Sequence, residues 1–192
     1  MRFLALTGAR RGEALGLRWS DVDLEANCAF IVQARTIWGC SAPKTPGSRR
    51  SLDLDPETAA ILKRWRRRQL EERMLWGEHW VDTGLLFTRE DVQGYHPDTI
   101  TGVFSRHQDR INKRLRDEAK QKGEQPQTLP HIRLHDLRHT HATLLLANGE
   151  NPKVVSERLG HASVAFTLTV YAHVLPGFQK EAACRLAAVI DG

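Results

Sequence analysis

Residues 131–173, HIRLHDLRHTHATLLLANGENPKVVSERLGHASVAFTLTVYAH, decide the organisation of the rest of the chain. His135 and Arg138 lie one helical turn apart in a segment of helical pattern, so they share a helix face. Short helices and tight turns are predicted to follow, and they fold the segments back on one another. The pattern therefore predicts that His135, Arg138, His161 and Tyr171 come together.

The predicted helix boundaries follow from residue types that are typical of helix ends. The first helix of the stretch should end at Asn148-Gly149, and the second should begin at Asn151-Pro152. Gly160 should stop the second helix, and Ser163 should cap a third helix that carries Tyr171.

These four side chains suit attack on a phosphodiester. A tyrosine hydroxyl titrates near ~10, so it needs a base or cationic surroundings to act as a nucleophile at neutral pH. The planar fork of arginine matches phosphate oxygens. Histidine can hold or move a proton near neutrality.

The order of these motifs resembles the C-terminal signature of the tyrosine recombinases, the phage integrase family. H-x-x-R is present at His135 and Arg138, L-G-H at residues 159–161, and Tyr171 follows about ten residues later. The resemblance implies a mainly α fold of the α+β type, with a small antiparallel sheet in the N-terminal third. It implies site-specific breakage and rejoining of DNA.

Two further segments fit the same family. Residues 7–13, TGARRGE, resemble the T-G-x-R-x-x-E segment that carries the family's first arginine, here Arg10. Residues 43–50, PKTPGSRR, fit the β-hairpin that carries its lysine, here Lys44. These elements occur in the expected order and cover nearly the whole chain.

The resemblance implies a phosphate-binding and nucleophilic set. Tyr171 would attack a phosphodiester, form a 3′-phosphotyrosyl link and free a 5′-hydroxyl. Arg10 and Arg138 would hold the non-bridging oxygens, and His161 would hydrogen-bond to the same phosphate. Arg11 is adjacent to Arg10, and only the resemblance distinguishes the two.

The remaining residues would move protons or orient an arginine. By resemblance, His135 would assist proton transfer at the tyrosine, and Lys44 would protonate the leaving 5′-oxygen. Arg49 and Arg50 compete with Lys44, but lysine fits a general acid better because arginine stays charged. Glu13 is expected to orient an arginine. No metal or other cofactor is required, because the covalent link retains the bond energy for rejoining.

Composition is compatible with this class. The 192-residue chain has a net charge of +5 and a pI of about 9.4, which suit a polyanionic partner such as double-stranded DNA. Cys28, Cys40 and Cys184 form neither a metal spacing nor a disulfide framework, which indicates a reducing interior. The sequence shows no signal peptide and no membrane span, so a cytoplasmic protein is expected. The family resemblance implies that a prokaryotic cell, a phage or another mobile element encodes it.

The pattern outside these motifs predicts the other elements. Strands are expected over residues 29–34 and 51–54, and a helix from Pro56 to about Trp76. A long helix should open at Pro97, and a last helix should begin at Pro176. Residues 113–127 are highly polar and are expected to form a surface excursion.

The domain expected is a single tyrosine-recombinase catalytic domain over residues 1–192. Family members normally place a helical core-binding domain before it and act as tetramers on DNA. Because Arg10 stands almost at the start, the chain is expected to be truncated at its N-terminus and to lack that domain. The full-length protein is expected to form a homotetramer on DNA.

A zinc hydrolase is one alternative. His135 and His139 are spaced at i, i+4 with Asp136 between them, which resembles an altered H-E-x-x-H site. However, Asp replaces the Glu of that motif, and Arg138 would put a cation beside the metal.

Two further alternatives share the DNA partner. Residues 154–171 have a helix–turn–helix pattern, so a non-catalytic DNA-binding module is conceivable. Type IB topoisomerases share the phosphotyrosyl chemistry, although the L-G-H-x-S turn resembles integrases more closely.

Overall fold

The computed structural model describes residues 1–41, 49–89, 93–172 and 178–190. Helices dominate, as expected from the sequence. In chain order they are α1 (Arg2–Thr7), α2 (Arg11–Gly16), α3 (Pro56–Trp76), α4 (Pro97–Lys122), α5 (Asp136–Ala147), α6 (Pro152–Leu159), α7 (Val164–Tyr171) and α8 (Phe178–Ile190).

The strands lie in the N-terminal third, which confirms the predicted small antiparallel sheet. They are β1 (Val22–Asp23), β2 (Cys28–Ile31), β3 (Ala34–Thr36), β4 (Gly39–Ser41) and β5 (Arg50–Asp53). A three-stranded antiparallel sheet has the order β1-β2-β5, and β3 pairs with β4 in a separate hairpin. The strand predicted over residues 29–34 is therefore divided between β2 and β3.

The turn between α1 and α2 requires glycine. Gly8 ends α1 with a φ of 65°, a conformation that L side chains rarely adopt. A Cβ there would also lie 2.6 Å from Leu159 Cδ2 of α6. The end of α1 at Gly8 thus has both a local cause and a packing cause. Leu6 is exposed, because Phe3, Leu4 and Thr7 form the inner face of this short helix.

The main core joins the N-terminal helices to the sheet and α3. Ala29 and Leu52 pair across β2 and β5, and both are fully buried. A second cluster holds the C-terminal helices together, and its buried members are Ala142, Leu146, Val155, Leu159 and Tyr171. Tyr171 is therefore anchored in a packed cluster while its hydroxyl meets polar groups.

The predicted start and end of α3 are confirmed. Asp55 caps it by accepting hydrogen bonds from Thr58, with Pro56 at the first helical position. The arginines at positions 64 and 66–68 of α3 are exposed, and the guanidinium of Arg66 lies 5.4 Å from the ring centroid of Trp19.

The prediction for residues 113–127 was wrong in its first part, because α4 continues to Lys122 and ends at Gly123. Buried polar side chains secure this helix to the segment that precedes α5. Asn112 exchanges hydrogen bonds of 2.8 and 3.0 Å with the backbone of Leu129, and Gln108 does the same with Ile132. Hydrogen bonding therefore anchors the middle of α4 to residues 129–132.

The helix boundaries predicted in the C-terminal stretch are confirmed. Asn151 and Ser163 cap α6 and α7 through their side chains, and Gly160 ends α6 with a φ of 64°. Pro176, the predicted start of the last helix, lies outside the described residues, and α8 begins at Phe178. Within the described ranges, no helix is long and apolar enough to cross a membrane.

Candidate active site

Helix termini supply the polar groups of the candidate site. Arg10 is the N-cap residue of α2, and Arg138 lies in the first turn of α5. His161 follows the glycine that ends α6, and Tyr171 is the last residue of α7. Lys44, the predicted general acid, lies outside the described residues.

Arg138 is buried, with 4% of its surface exposed. Its Nη1 donates to the carbonyl of Gly8 and its Nη2 to the carbonyl of Leu159, each at 2.7 Å. Both acceptors stand at the C-terminal ends of helices, where carbonyls have no intrahelical partner. Burial and the nearby charge of Arg10 lower the pKa of Arg138 to about 10, so the guanidinium stays charged at neutral pH.

Glu13 forms an ion pair with Arg10, which has a half-exposed side chain. Nη1 of Arg10 lies 2.8 Å from Glu13 Oε1, and the backbone amide of Arg10 donates to Oε2. Nη2 of Arg10 also donates to the carbonyl of Gly160 at 3.3 Å. The first arginine motif is thereby joined to the loop that carries His161.

Arg50 holds the same carboxylate from the opposite side. Its Nη2 lies 2.8 Å from Glu13 Oε2, and its Nε donates to the carbonyl of Arg158 at 2.7 Å. Burial favours a higher pKa for Glu13, but the hydrogen bond and charge of Arg50, together with the hydrogen bonds from Arg10, leave the pKa below its ordinary value. Glu13 is therefore an ionised acceptor between two arginines.

His161 is a neutral imidazole at physiological pH. Burial lowers its pKa to about 4, and the charges of Arg138 and Arg10 add to the shift. Its Nδ1 lies 2.7 Å from the hydroxyl of Thr167, which fixes the ring on α7. A neutral ring among cations suits a hydrogen bond to a phosphate oxygen without adding another positive charge.

The hydroxyl of Tyr171 contacts His139, a residue outside the predicted catalytic set. The distance from the hydroxyl to His139 Nδ1 is 2.9 Å. Burial raises the pKa of Tyr171, while the charge of Arg138 opposes that shift. The predicted partner, His135, stands beside His139 with ring centroids 5.1 Å apart and planes at 87°.

Partial signals for the unassigned residues are present in the sequence. His139 lies one turn after His135 in HDLRH, a spacing that resembles a zinc motif and does not by itself indicate a contact to Tyr171. Arg50 lies in the segment of Lys44, where the motif favours the lysine. Arg158, which donates to the carbonyls of Leu6 and Asp53, carried no motif at all.

The zinc alternative finds no support in the geometry. Asp136, the residue in the place of the metalloprotease base, accepts hydrogen bonds from the backbone and side chain of Arg133. In the part of the chain that the structure describes, no group of three or more His, Cys, Asp or Glu side chains is placed to hold a metal ion.

The site brings two cationic side chains and an imidazole together with the phenol of Tyr171. Arg10 and Arg138 supply positive charge, and His161 supplies a neutral ring nitrogen. The nucleophile candidate, Tyr171, already shares a hydrogen bond with an imidazole. This set can bind a phosphate, stabilise the charge that develops on it and receive the proton of an attacking phenol.

Comparison with known proteins agrees with the fold and the motifs. Residues 1–177 match the sequence model of the phage integrase family. The ICEBs1 integrase of Bacillus subtilis (strain 168) is 32% identical over 190 residues, which are 94% of this chain and 46% of that protein. The chain spans about half the length of the curated relatives it matches.

Solved structures show the same architecture. The Tn1549 transposon integrase in complex with transposon right end DNA aligns with a TM-score of 0.76 and 24% identity, over 97% of this chain and 57% of that chain. The XerH site-specific recombinase bound to palindromic difH substrate aligns with a TM-score of 0.56 and 26% identity, over 95% of this chain and 43% of that chain. By its sequence match and its architecture, the chain belongs to the phage integrase family of tyrosine recombinases.

Proposed function

We propose that this chain is the catalytic domain of a site-specific DNA recombinase, an integrase that breaks and rejoins strands through a 3′-phosphotyrosyl intermediate. The observation that carries the proposal is the convergence of Arg10, Arg138, His161 and Tyr171 from distant parts of the sequence. Family membership supports it, and so do relatives named as integrases, transposases and recombinases.

In this proposal the oxygen of Tyr171 attacks the phosphorus in line with the leaving 5′-oxygen. Arg10 and Arg138 bind the non-bridging oxygens, because preorganised donors are worth most where charge develops in a water-poor site. His161 adds a hydrogen bond to the same phosphate as a neutral ring. Strand rejoining is the reverse displacement, with a 5′-hydroxyl as the nucleophile.

Proton transfer completes the reaction. We assign the protonation of the leaving 5′-oxygen to Lys44, on the sequence motif alone. His135 assists proton transfer at Tyr171. Glu13 serves by orienting Arg10, and its contact of 2.8 Å with the guanidinium supports that role.

The proposed partner is double-stranded DNA. The XerH structure contains its difH substrate, and the Tn1549 integrase structure contains transposon DNA. We further propose that the active assembly is a homotetramer on DNA, and that it acts in the cytoplasm of a prokaryotic cell as part of a phage or other mobile element. The basic chain is compatible with the phosphate backbone.

Covalent capture of DNA tests the function directly. The protein is incubated with a nicked suicide duplex whose short 5′-hydroxyl fragment diffuses away after cleavage, and adducts are resolved on a denaturing gel. Because relatives act at defined sites, the duplexes are drawn from a random-sequence pool and captured adducts are sequenced. Wild-type protein should form an adduct, and Tyr171→Phe should form none while it still binds DNA.

Tyr95→Phe is the matched control, because it removes the chain's other tyrosine hydroxyl. That variant should form the adduct at the wild-type rate. An adduct that persists in Tyr171→Phe would contradict the assignment of the nucleophile. DNA binding without any covalent product in the wild-type protein would favour a non-catalytic DNA-binding module.

A further inference from the structure

The contact between His139 and Tyr171 indicates a role for His139 that the sequence motifs do not assign. Nδ1 of His139 is 2.9 Å from the phenol oxygen, well within hydrogen-bonding distance. The hydroxyl terminates a side chain whose residue is only 3% exposed, so its orientation is fixed by the C-terminal core cluster. His139 itself is partly buried on α5, one turn after the exposed His135.

We propose that His139 is the immediate proton acceptor for Tyr171, an inference that rests on the proposed DNA cleavage. A bond forms between the phenol oxygen and phosphorus while the bond between phosphorus and the 5′-oxygen breaks. The phenol proton moves to Nδ1 of His139, and the departing 5′-oxygen takes a proton from a separate acid, assigned above to Lys44. Rejoining reverses each transfer.

The same contact between His139 and Tyr171 can form a hydrogen bond before and after the proton is transferred. Before attack, a neutral His139 with its proton on Nε2 accepts a hydrogen bond from the phenol through Nδ1. After transfer, Nδ1–H of the imidazolium donates to the tyrosine oxygen across the same contact. The proton therefore moves along an existing hydrogen bond, without any side-chain rotation.

The surroundings of the two rings favour His139 over His135 as the base. His135 stands edge-on to the ring of His139 rather than against the phenol. Although His135 is exposed as a residue, partial desolvation of its ring lowers its pKa, and a positive charge on His139 lowers it further. A proton on His139 therefore opposes a second proton on His135. His135 assists from beside the base.

The test removes basicity and keeps an acceptor. In His139→Asn, the amide places a hydrogen-bonding atom near the position of Nδ1 but takes up no proton. Adduct formation on the nicked suicide duplex should fall by at least about 10²-fold, the low end of general-base contributions. His107→Asn, an exposed histidine of α4, is the matched control and should keep the wild-type rate.

A more acidic phenol separates a proton-transfer defect from a structural one. Site-specific incorporation of a fluorinated tyrosine at position 171 lowers the need for a base. It should restore most of the loss in His139→Asn and little of the loss in Arg10→Ala. Circular dichroism confirms folding, and His139→Gln replaces the Asn variant if that protein does not fold.

The outcomes are distinguishable. Wild-type protein without any Tyr171 adduct would overturn the proposed function, and this inference with it. A wild-type adduct together with full activity of His139→Asn would overturn the inference alone. So would a defect that the acidic phenol does not relieve, or selective relief in His135→Asn instead of His139→Asn.

Discussion

The carboxylate of Glu13 and the guanidinium of Arg50 form a buried ion pair of 2.8 Å, with side chains 6% and 7% exposed. The pair joins α2 to β5, and the Nε of Arg50 continues the connection to the carbonyl of Arg158 in α6. Three separate segments thus meet behind Arg10.

Removing one member of this pair should destabilise the fold. Glu13→Ala leaves Arg50 buried without its carboxylate, which typically costs about 3–5 kcal/mol. The free energy of unfolding in urea measures the effect. Glu57→Ala is the control, because Glu57 pairs with Arg2 at the surface, where ion pairs contribute about 0–1 kcal/mol. Equal losses in the two variants would contradict a structural role for the buried pair.

Under the proposed function, alanine at Arg10 or Arg138 should lower DNA cleavage by on the order of 10²-fold or more, because each substitution removes a preorganised charge. The two variants should differ in stability. Arg138 is 4% exposed, whereas the side chain of Arg10 is 42% exposed, so only Arg138→Ala should lower the melting temperature markedly. Arg11→Ala removes a cation that contacts Asp98 at the surface and should leave cleavage near the wild-type rate.

Gly160→Ala should impair both folding and cleavage. The residue has a φ of 64°, and an added Cβ would lie 2.7 Å from Nη1 of Arg50. Gly149→Ala is matched, since Gly149 has a φ of 83° and open space around its Cβ position. Backbone strain of about 1–2 kcal/mol should appear in both variants. The additional loss in Gly160→Ala then measures the contact with Arg50, and equal melting temperatures would argue against it.

Stability should decline as the pH falls below about 6.5. The pKa of His141 is lowered to about 4 by burial, with the charge of Arg158 adding to the shift. Unfolded chains bind the proton near the ordinary value of 6.5, so the stabilisation is complete above it and is lost as pH falls towards 4. Urea unfolding at pH 7, 6 and 5 should show this decline, and it should be shallower in His141→Gln.

Lys44→Ala should lower DNA cleavage, and a substrate with a better leaving group should restore it. A 5′-thiolate leaving group needs no proton, so a phosphorothiolate substrate should restore cleavage by Lys44→Ala. The same substrate should help Arg10→Ala far less, because that variant lacks charge on the phosphate. Equal rescue of both variants would remove the general-acid role from Lys44.

The sequence predicted the helix boundaries of the C-terminal stretch because they depend on local chemistry. Asn151, Gly160 and Ser163 act within one helical turn of themselves, through caps and a left-handed glycine. The sequence does not predict the polar end of α4, because residues 113–122 are mostly charged and exposed and so offer little hydrophobic pattern at helical spacing.

The same distinction applies to the site. Arg10, Arg138, His161 and Tyr171 carry recognisable motifs, and the fold brings them together. The role of Glu13 beside an arginine was expected from the motif, but its pairing with Arg50 required coordinates, because the two residues are distant in sequence. His139 had the right spacing in HDLRH, but only the path of α7 decides which histidine meets Tyr171.

Arg138 is held by two backbone carbonyls, whereas Arg10 is paired with a carboxylate. Under the proposed function, this difference decides which arginine binds an incoming phosphate first. A neutral carbonyl leaves the net charge of a guanidinium unchanged, whereas a carboxylate cancels it. Under the proposed function, an incoming phosphate meets standing positive charge at Arg138 but must compete with Glu13 for Arg10. Arg138 then binds the phosphate first. Arg10 binds it second, by exchanging its contact with Glu13 for a contact with the phosphate.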